Sequence, residues 1–280
     1  MPLVFNSVAP MTGATAGQRL GRHIFPARFI AFCLILCSAS AAVGEGWVDG
    51  RRADPFIFRA NYSLAEEEPC YDELKQLESE LVRTLALQMH GEPVELYLFR
   101  DKTTYREYLS SYYPGVPQRR ALFVKHRGPG MVYAYRNGEF DVDLRHETTH
   151  ALLHAALPTV PLWLDEGLAE YFEVPEADRA AANPHFKALK WNLRLGMIPR
   201  LETLENKRSV NDMGRAEYRY SWAWVHFMLH GPLEAHEELI SYVAGLRTGL
   251  QQDVLSVRLK RRMPDVEQRF AQHFRNWPRE

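Results

Sequence analysis

Leu144-Arg145-His146-Glu147-Thr148-Thr149-His150, followed after a proline-punctuated interval by Trp163-Leu164-Asp165-Glu166-Gly167-Leu168-Ala169-Glu170-Tyr171-Phe172-Glu173, is the stretch on which the fold of this chain turns. Residues four apart on an α-helix share one face, about 6 Å of rise apart. His146 and His150 can therefore offer imidazole nitrogens to one zinc ion, with Glu147 beside the remaining coordination position. The context supplies the helix: Asp141 or Asp143 can cap its start, Val142, Ala151, Leu152 and Leu153 give apolar contacts, and Pro158 closes it. A catalytic zinc takes three protein ligands and keeps one position for water, so a carboxylate on a neighbouring helix is required. Glu166 follows His150 after 15 intervening residues, room for a loop through Pro158 and Pro161 and a return against the first helix. It is the expected third ligand.

W-L-x-E-G-L-A-E-Y after H-E-x-x-H resembles the gluzincin metallopeptidases, the group containing thermolysin and the aminopeptidase N family. The nearest likeness is to a bacterial peptidase-MA-like family described as a domain of unknown function. The layout is similar over roughly residues 56 to 249, and the specific part is residues 144 to 173. The resemblance implies a zincin-like fold of α+β class and a zinc-dependent peptide hydrolase. His146, His150 and Glu166 then hold the metal, and Glu147 is the general base. Glu170 stands at the offset where thermolysin places a carboxylate, so it is expected to take the second ring N–H of a ligand histidine, His146; Asp165 is a further claimant.

The oxyanion donor of the aminopeptidase N family is a tyrosine opening a helix of the pattern Y-x-x-G-x-A-L. Aligning the small Ser221 and Ala223 puts Tyr218 at that position, with Tyr220 the runner-up. His226 and His230, on the same helix, could also face the cleft. His154 continues the row of the two ligand histidines but lies about 12 Å of rise from His146, too far to share an ion; it reads as packing or pocket wall. Two departures stand out. The spacer before Glu166 is shorter than in thermolysin or aminopeptidase N, and no acidic amine-binding motif precedes His146, where Gly128-Pro129-Gly130-Met131 stands instead. The latter weighs against an aminopeptidase.

Outward from the motif the chain divides. Before it, residues 48–140 read as an α/β lobe: Phe56 to Ala60, Val94 to Phe99, Ala121 to Lys125 and Met131 to Tyr135 are strands, the last two forming a hairpin around Arg127-Gly128-Pro129-Gly130. Glu66 to Met89 is a helix by apolar spacing, and Thr103 to Tyr112 can form a short one. Residues 141–280 read as a helical lobe carrying the zinc site, interrupted by Pro158, Pro161, Pro175, Pro184, Pro199, Pro232 and Pro264. Arg258 to Arg262 is a basic run read as a solvated helix face. A substrate peptide is expected antiparallel to the Met131 to Tyr135 strand, if that strand is a sheet edge.

Composition limits the function classes. With 46% hydrophobic and 25% charged residues in 280, the chain is globular, and 34 basic against 35 acidic residues give it no global pull toward nucleic acid. Residues 1–41 hold Arg19, Arg22 and Arg28 but no acidic residue. A basic flank, the apolar Phe29 to Leu36 and the small Ser38 to Ala42 follow in the order of a secretory signal. Cleavage there would export the protein to a periplasmic or extracellular site. A tether through an uncleaved leader is the alternative, although the apolar run is short for a span. Cleavage would also remove Cys33 and Cys37, leaving Cys70 alone and no internal disulfide. The expected partner is a peptide or protein substrate, with no nucleic acid, no membrane span after cleavage and a monomeric state. The rival functions are a zincin-fold binding or scaffolding protein without turnover, which the intact Glu147 argues against, and a zinc hydrolase of a non-peptide bond.

Overall fold

Alternation along the strands explains why the sheet has two unlike faces. The computed structural model describes residues 46–116, 119–181, 183–249 and 251–277, with backbone only at 66–69; the leader expected over residues 1–41 lies outside them. Five strands, β1 (Asp49–Ala53), β2 (Phe56–Ala60), β3 (Val94–Phe99), β4 (Ala121–Val124) and β5 (Gly130–Tyr135), form one mixed sheet in the order β1-β2-β3-β5-β4. β2, β3 and β5 are parallel, and the outer strands β1 and β4 pair antiparallel. Val94, Leu96 and Leu98 of β3, Val132 and Ala134 of β5, and Ala121 and Phe123 of β4 face the main core. Their neighbours Tyr97, Phe99, Tyr133, Tyr135, Leu122 and Val124 face an aromatic cluster with Tyr105 and Leu109. The period of two sends successive side chains to opposite faces.

Helix α1 (Glu68–Leu85) packs with the main core through Leu74, Leu77, Leu81 and Leu85, and α2 (Lys102–Tyr112) covers the aromatic face. The helical half follows as α3 (Phe140–Ala156), α4 (Leu162–Phe172), α5 (Glu176–Arg179), α6 (His185–Arg194), α7 (Leu201–Glu205), α8 (Arg215–His230), α9 (Leu233–Thr248), α10 (Leu255–Arg262) and α11 (Val266–Asn276). One continuous core runs from the sheet into these helices. None of the described helices is long and apolar enough to cross a membrane.

Several sequence expectations need correction. β5 is not an edge: it lies between β3 and β4, so the edge on that side of the sheet is β4. The hairpin folds the shorter strand outward, which the order of strands in the chain does not reveal. β1, Asp-Gly-Arg-Arg-Ala, was not expected because its side chains are mostly solvated and show no apolar alternation; pairing with β2 makes it a strand. The α3 helix begins at Phe140, so Asp141 and Asp143 sit in its first turn and no side chain caps it. There they still favour the positive end of the helix dipole, and Asp143 pairs with Arg120 at 2.8 Å.

His226 and His230 do not reach the cleft. His226 is fully buried among Phe186, Trp222 and Phe274, its Nε2–H donating to Ala180 O at 3.1 Å while its Nδ1 accepts from His273 at 3.1 Å. His230 Nε2 stands 2.7 Å from the Tyr171 hydroxyl. Burial, with like charge from His230 and His273, pushes the His226 pKa down to about 3. The unfolded chain, near 6.5, therefore takes the proton first, so this stability is present above about pH 6.5 and is lost as the pH falls toward 3. About 2 kcal/mol should be lost from this residue by pH 5. Urea midpoints at pH 7.5 and 5 should show a loss that shrinks by that amount in His226→Phe; an unchanged loss would contradict it.

Candidate metal centre

Two imidazoles one helical turn apart meet a carboxylate from the next helix. His146 Nε2 and His150 Nε2 stand 3.3 Å apart on α3. Glu166, in the first turns of α4, brings Oε2 to 3.6 Å from His150 Nε2 and 3.8 Å from His146 Nε2. Glu166 is fully buried, and no described residue donates a hydrogen bond to either of its oxygens. A buried ionised carboxylate without donors costs several kcal/mol unless a cation stands against it. Nitrogens bound at 2.0–2.1 Å to a tetrahedral zinc lie about 3.3 Å apart. The donor set and its spacing therefore fit a divalent ion of that kind, and the three residues form a possible metal-holding group.

The other ring nitrogens are fixed from behind. His150 Nδ1 is 2.8 Å from Asp165 Oδ1, and His146 Nδ1 is 2.9 Å from Glu173 Oε2. Each carboxylate selects the tautomer that leaves Nε2 facing Glu166. The partner expected for His146 is thus replaced: Glu170 instead holds His185 Nε2 at 2.9 Å. The reason is helical phase. Glu173, seven residues after Glu166, returns to within about 20° of its direction, whereas Glu170 is rotated by about 40°. Since α4 runs back along α3, the later residue meets the earlier histidine. The same seven-residue spacing, visible in the sequence, is the signal that could have found Glu173.

Electrostatics follow from this arrangement. Burial disfavours charge on His146, but the hydrogen bond and charge of Glu173, with Glu147 and Glu170 adding, raise its pKa to about 9. Burial, with the neighbouring charge of Glu170, raises Glu173 despite its bond to His146. Burial is outweighed at Asp165 by His150 and His154, which hold its carboxyl well below the usual range.

Glu147 lies beside the face of α3 that carries His146 and His150, and its Oε2 accepts from the Phe123 N–H of β4 at 2.7 Å. This places the β4 edge of the sheet next to the carboxylate. The Phe123 ring lies parallel to His150 at 6.2 Å between centroids, directly over Gly130, where an added Cβ would come 2.9 Å from the ring.

Tyr218, in the first turn of α8, is half-buried. Burial and the charge of Glu166 push its phenol up to about 12, so it remains a donor across the physiological range, while Arg119 lies against it and acts in the opposite direction. Tyr220 points elsewhere, its hydroxyl 2.7 Å from the Asn192 amide of α6. Arg119 and the Phe123 amide are site neighbours that sequence reasoning did not single out. A backbone N–H has no sequence signature, and nothing near Arg119 distinguishes it from Arg120.

No family model matches this chain, and no curated protein matches it.

Proposed function

We propose that the chain is a zincin-like, gluzincin-type metallopeptidase, and that His146, His150 and Glu166 hold its zinc. The observation that carries this reading is the buried Glu166 carboxylate, without a donor among the described residues, facing two imidazole nitrogens at the separation a tetrahedral ion imposes. Zinc held there would supply a Lewis acid that brings the pKa of water from 15.7 toward about 7.

The chain's own groups supply the rest. Glu147, steadied by the Phe123 N–H, takes a proton from the attacking water and delivers it to the departing amine. The Tyr218 hydroxyl donates to the carbonyl oxygen as negative charge develops there, a contact worth on the order of 3 kcal/mol. A peptide can add to the free edge of β4 as an antiparallel strand, which carries its backbone past Glu147. Substrates are peptides or proteins met after export, following the leader-like segment at residues 1–41.

Purified protein should carry about one zinc per chain and cleave casein or a peptide library. Glu147→Gln should retain the metal and lose cleavage, and Glu166→Ala should lose the metal. A zinc-free wild type, or cleavage indifferent to Glu147→Gln, would overturn the reading.

A further inference from the structure

His154 lies one turn beyond His150 on α3, out of reach of the ion, yet it is tied to the same centre. Its Nε2 is 3.0 Å from Asp165 Oδ2, while Oδ1 of that carboxylate is 2.8 Å from His150 Nδ1. Asp165 is 1% exposed, so these two imidazoles hold its two oxygens away from water. The His154 ring is itself braced: it packs on Phe123 at 5.5 Å between centroids, and its backbone carbonyl accepts from Lys125 Nζ at 2.8 Å. On its other side the ring lines a cavity of about 720 Å³, with His90, Lys125 and His126 in the same wall.

We propose that His154 is a positioning residue of the metal centre, acting through Asp165 to hold His150 with its Nε2 toward Glu166. The inference rests on the metal site described above. A carboxylate bonded through one oxygen can swing about its Cβ–Cγ bond, and the Nδ1 hydrogen bond of His150 then loses its fixed direction. With both oxygens engaged, the carboxylate plane is set, and the imidazole plane with it. Groups behind a metal ligand commonly change metal affinity 10–100-fold when removed.

The test is zinc affinity, measured by competition with a chelator on the full chain. His154→Phe keeps an aromatic plug on Phe123 but has no N–H for Asp165; it should weaken zinc by about 10–100-fold. His154→Gln, which can donate an amide N–H, should recover most of that loss. In an Asp165→Asn background, His154→Phe should change affinity less than twofold. If the Phe variant does not fold, as judged by circular dichroism, His154→Leu serves the same comparison. Affinity within twofold of wild type in a folded Phe or Leu variant would overturn this inference while leaving the zinc site standing. A wild type that binds no zinc would overturn both.

Discussion

Glu80→Ala is expected to lower the stability of the fold by about 3–5 kcal/mol, the usual cost of leaving buried charge without its partner. Glu80, on α1, is 2% exposed, and its Oε2 lies 2.6 Å from Arg179 Nη2 and 3.7 Å from Arg145 Nη2. Both arginines are buried. Arg145 Nε donates to the Phe172 carbonyl at 3.2 Å, and Arg179 Nε donates to Val174 O at 2.9 Å with its guanidinium 4.5 Å from the Phe172 ring centre. Burial and the charge of Arg179 already push Arg145 down, yet a guanidinium does not give up its proton in a protein. Without Glu80, two cations would face one another in the core.

Such a loss is a large share of the 5–15 kcal/mol that holds a typical domain together. Glu80→Gln, which keeps hydrogen-bonding capacity without charge, should fall between wild type and alanine. The effect should reach the site as well. Arg145 precedes His146, and Phe172 precedes Glu173, so the cluster clamps the two segments whose meeting sets the His146–Glu173 hydrogen bond. Urea denaturation checks the stability, and a loss under 1 kcal/mol would show that the arginines find other compensation.

Gly167→Ala should be the most damaging single methyl group near the centre. A Cβ built there stands 2.6 Å from Ser221 O and 2.8 Å from Ser221 C, with Val225 Cγ2 at 3.0 Å. The first two obstacles are backbone atoms of α8, so no rotamer change relieves them; the helices must separate. Overpacking costs about 1–3 kcal/mol, and a rigid obstacle puts this site at the upper end. The better helix propensity of alanine returns only about 1 kcal/mol. Since α4 carries Glu166 and α8 carries Tyr218, if the chain is the metallopeptidase proposed above, a shift of about 1 Å between them should reduce turnover about 100-fold while zinc stays bound. Thermal denaturation, metal content and turnover measured on one preparation would check all three parts. Unchanged turnover would separate Tyr218 from the chemistry.

The parts of the site that lie within one helix were readable from residue order. His146, Glu147 and His150 keep their relation because helical pitch is a property of the backbone, and the return of Glu166 required only enough loop. The alternation of polar and apolar residues in β3 likewise announced a strand, and the Gly128 to Gly130 turn announced the hairpin. The expectation failed where the answer lay in the phase or packing of one element against another. Glu173 displaced Glu170 because the phase and direction of α4 against α3 decide which glutamate faces His146. His226 entered the core because α11 packs beside α8, and His230 turned to the Tyr171 hydroxyl. The β4 strand became the sheet edge through its pairing on the outer side of β5, a choice that two similar apolar runs leave open.

By itself, then, the sequence determined a mixed α/β chain with a helix presenting two histidines and a glutamate on neighbouring positions, and a second helix able to return a carboxylate. Only the tertiary structure decided which groups stand behind those histidines, which strand lies open beside Glu147, and how closely α8 approaches α4. The physical reason is the range of the interactions. Turn, pitch and alternation are set by neighbouring residues. The crossing of α3, α4 and α8 is set by contacts between distant ones, among them the bare face of Gly167 on Ser221 and the Glu80 carboxylate shared by Arg145 and Arg179.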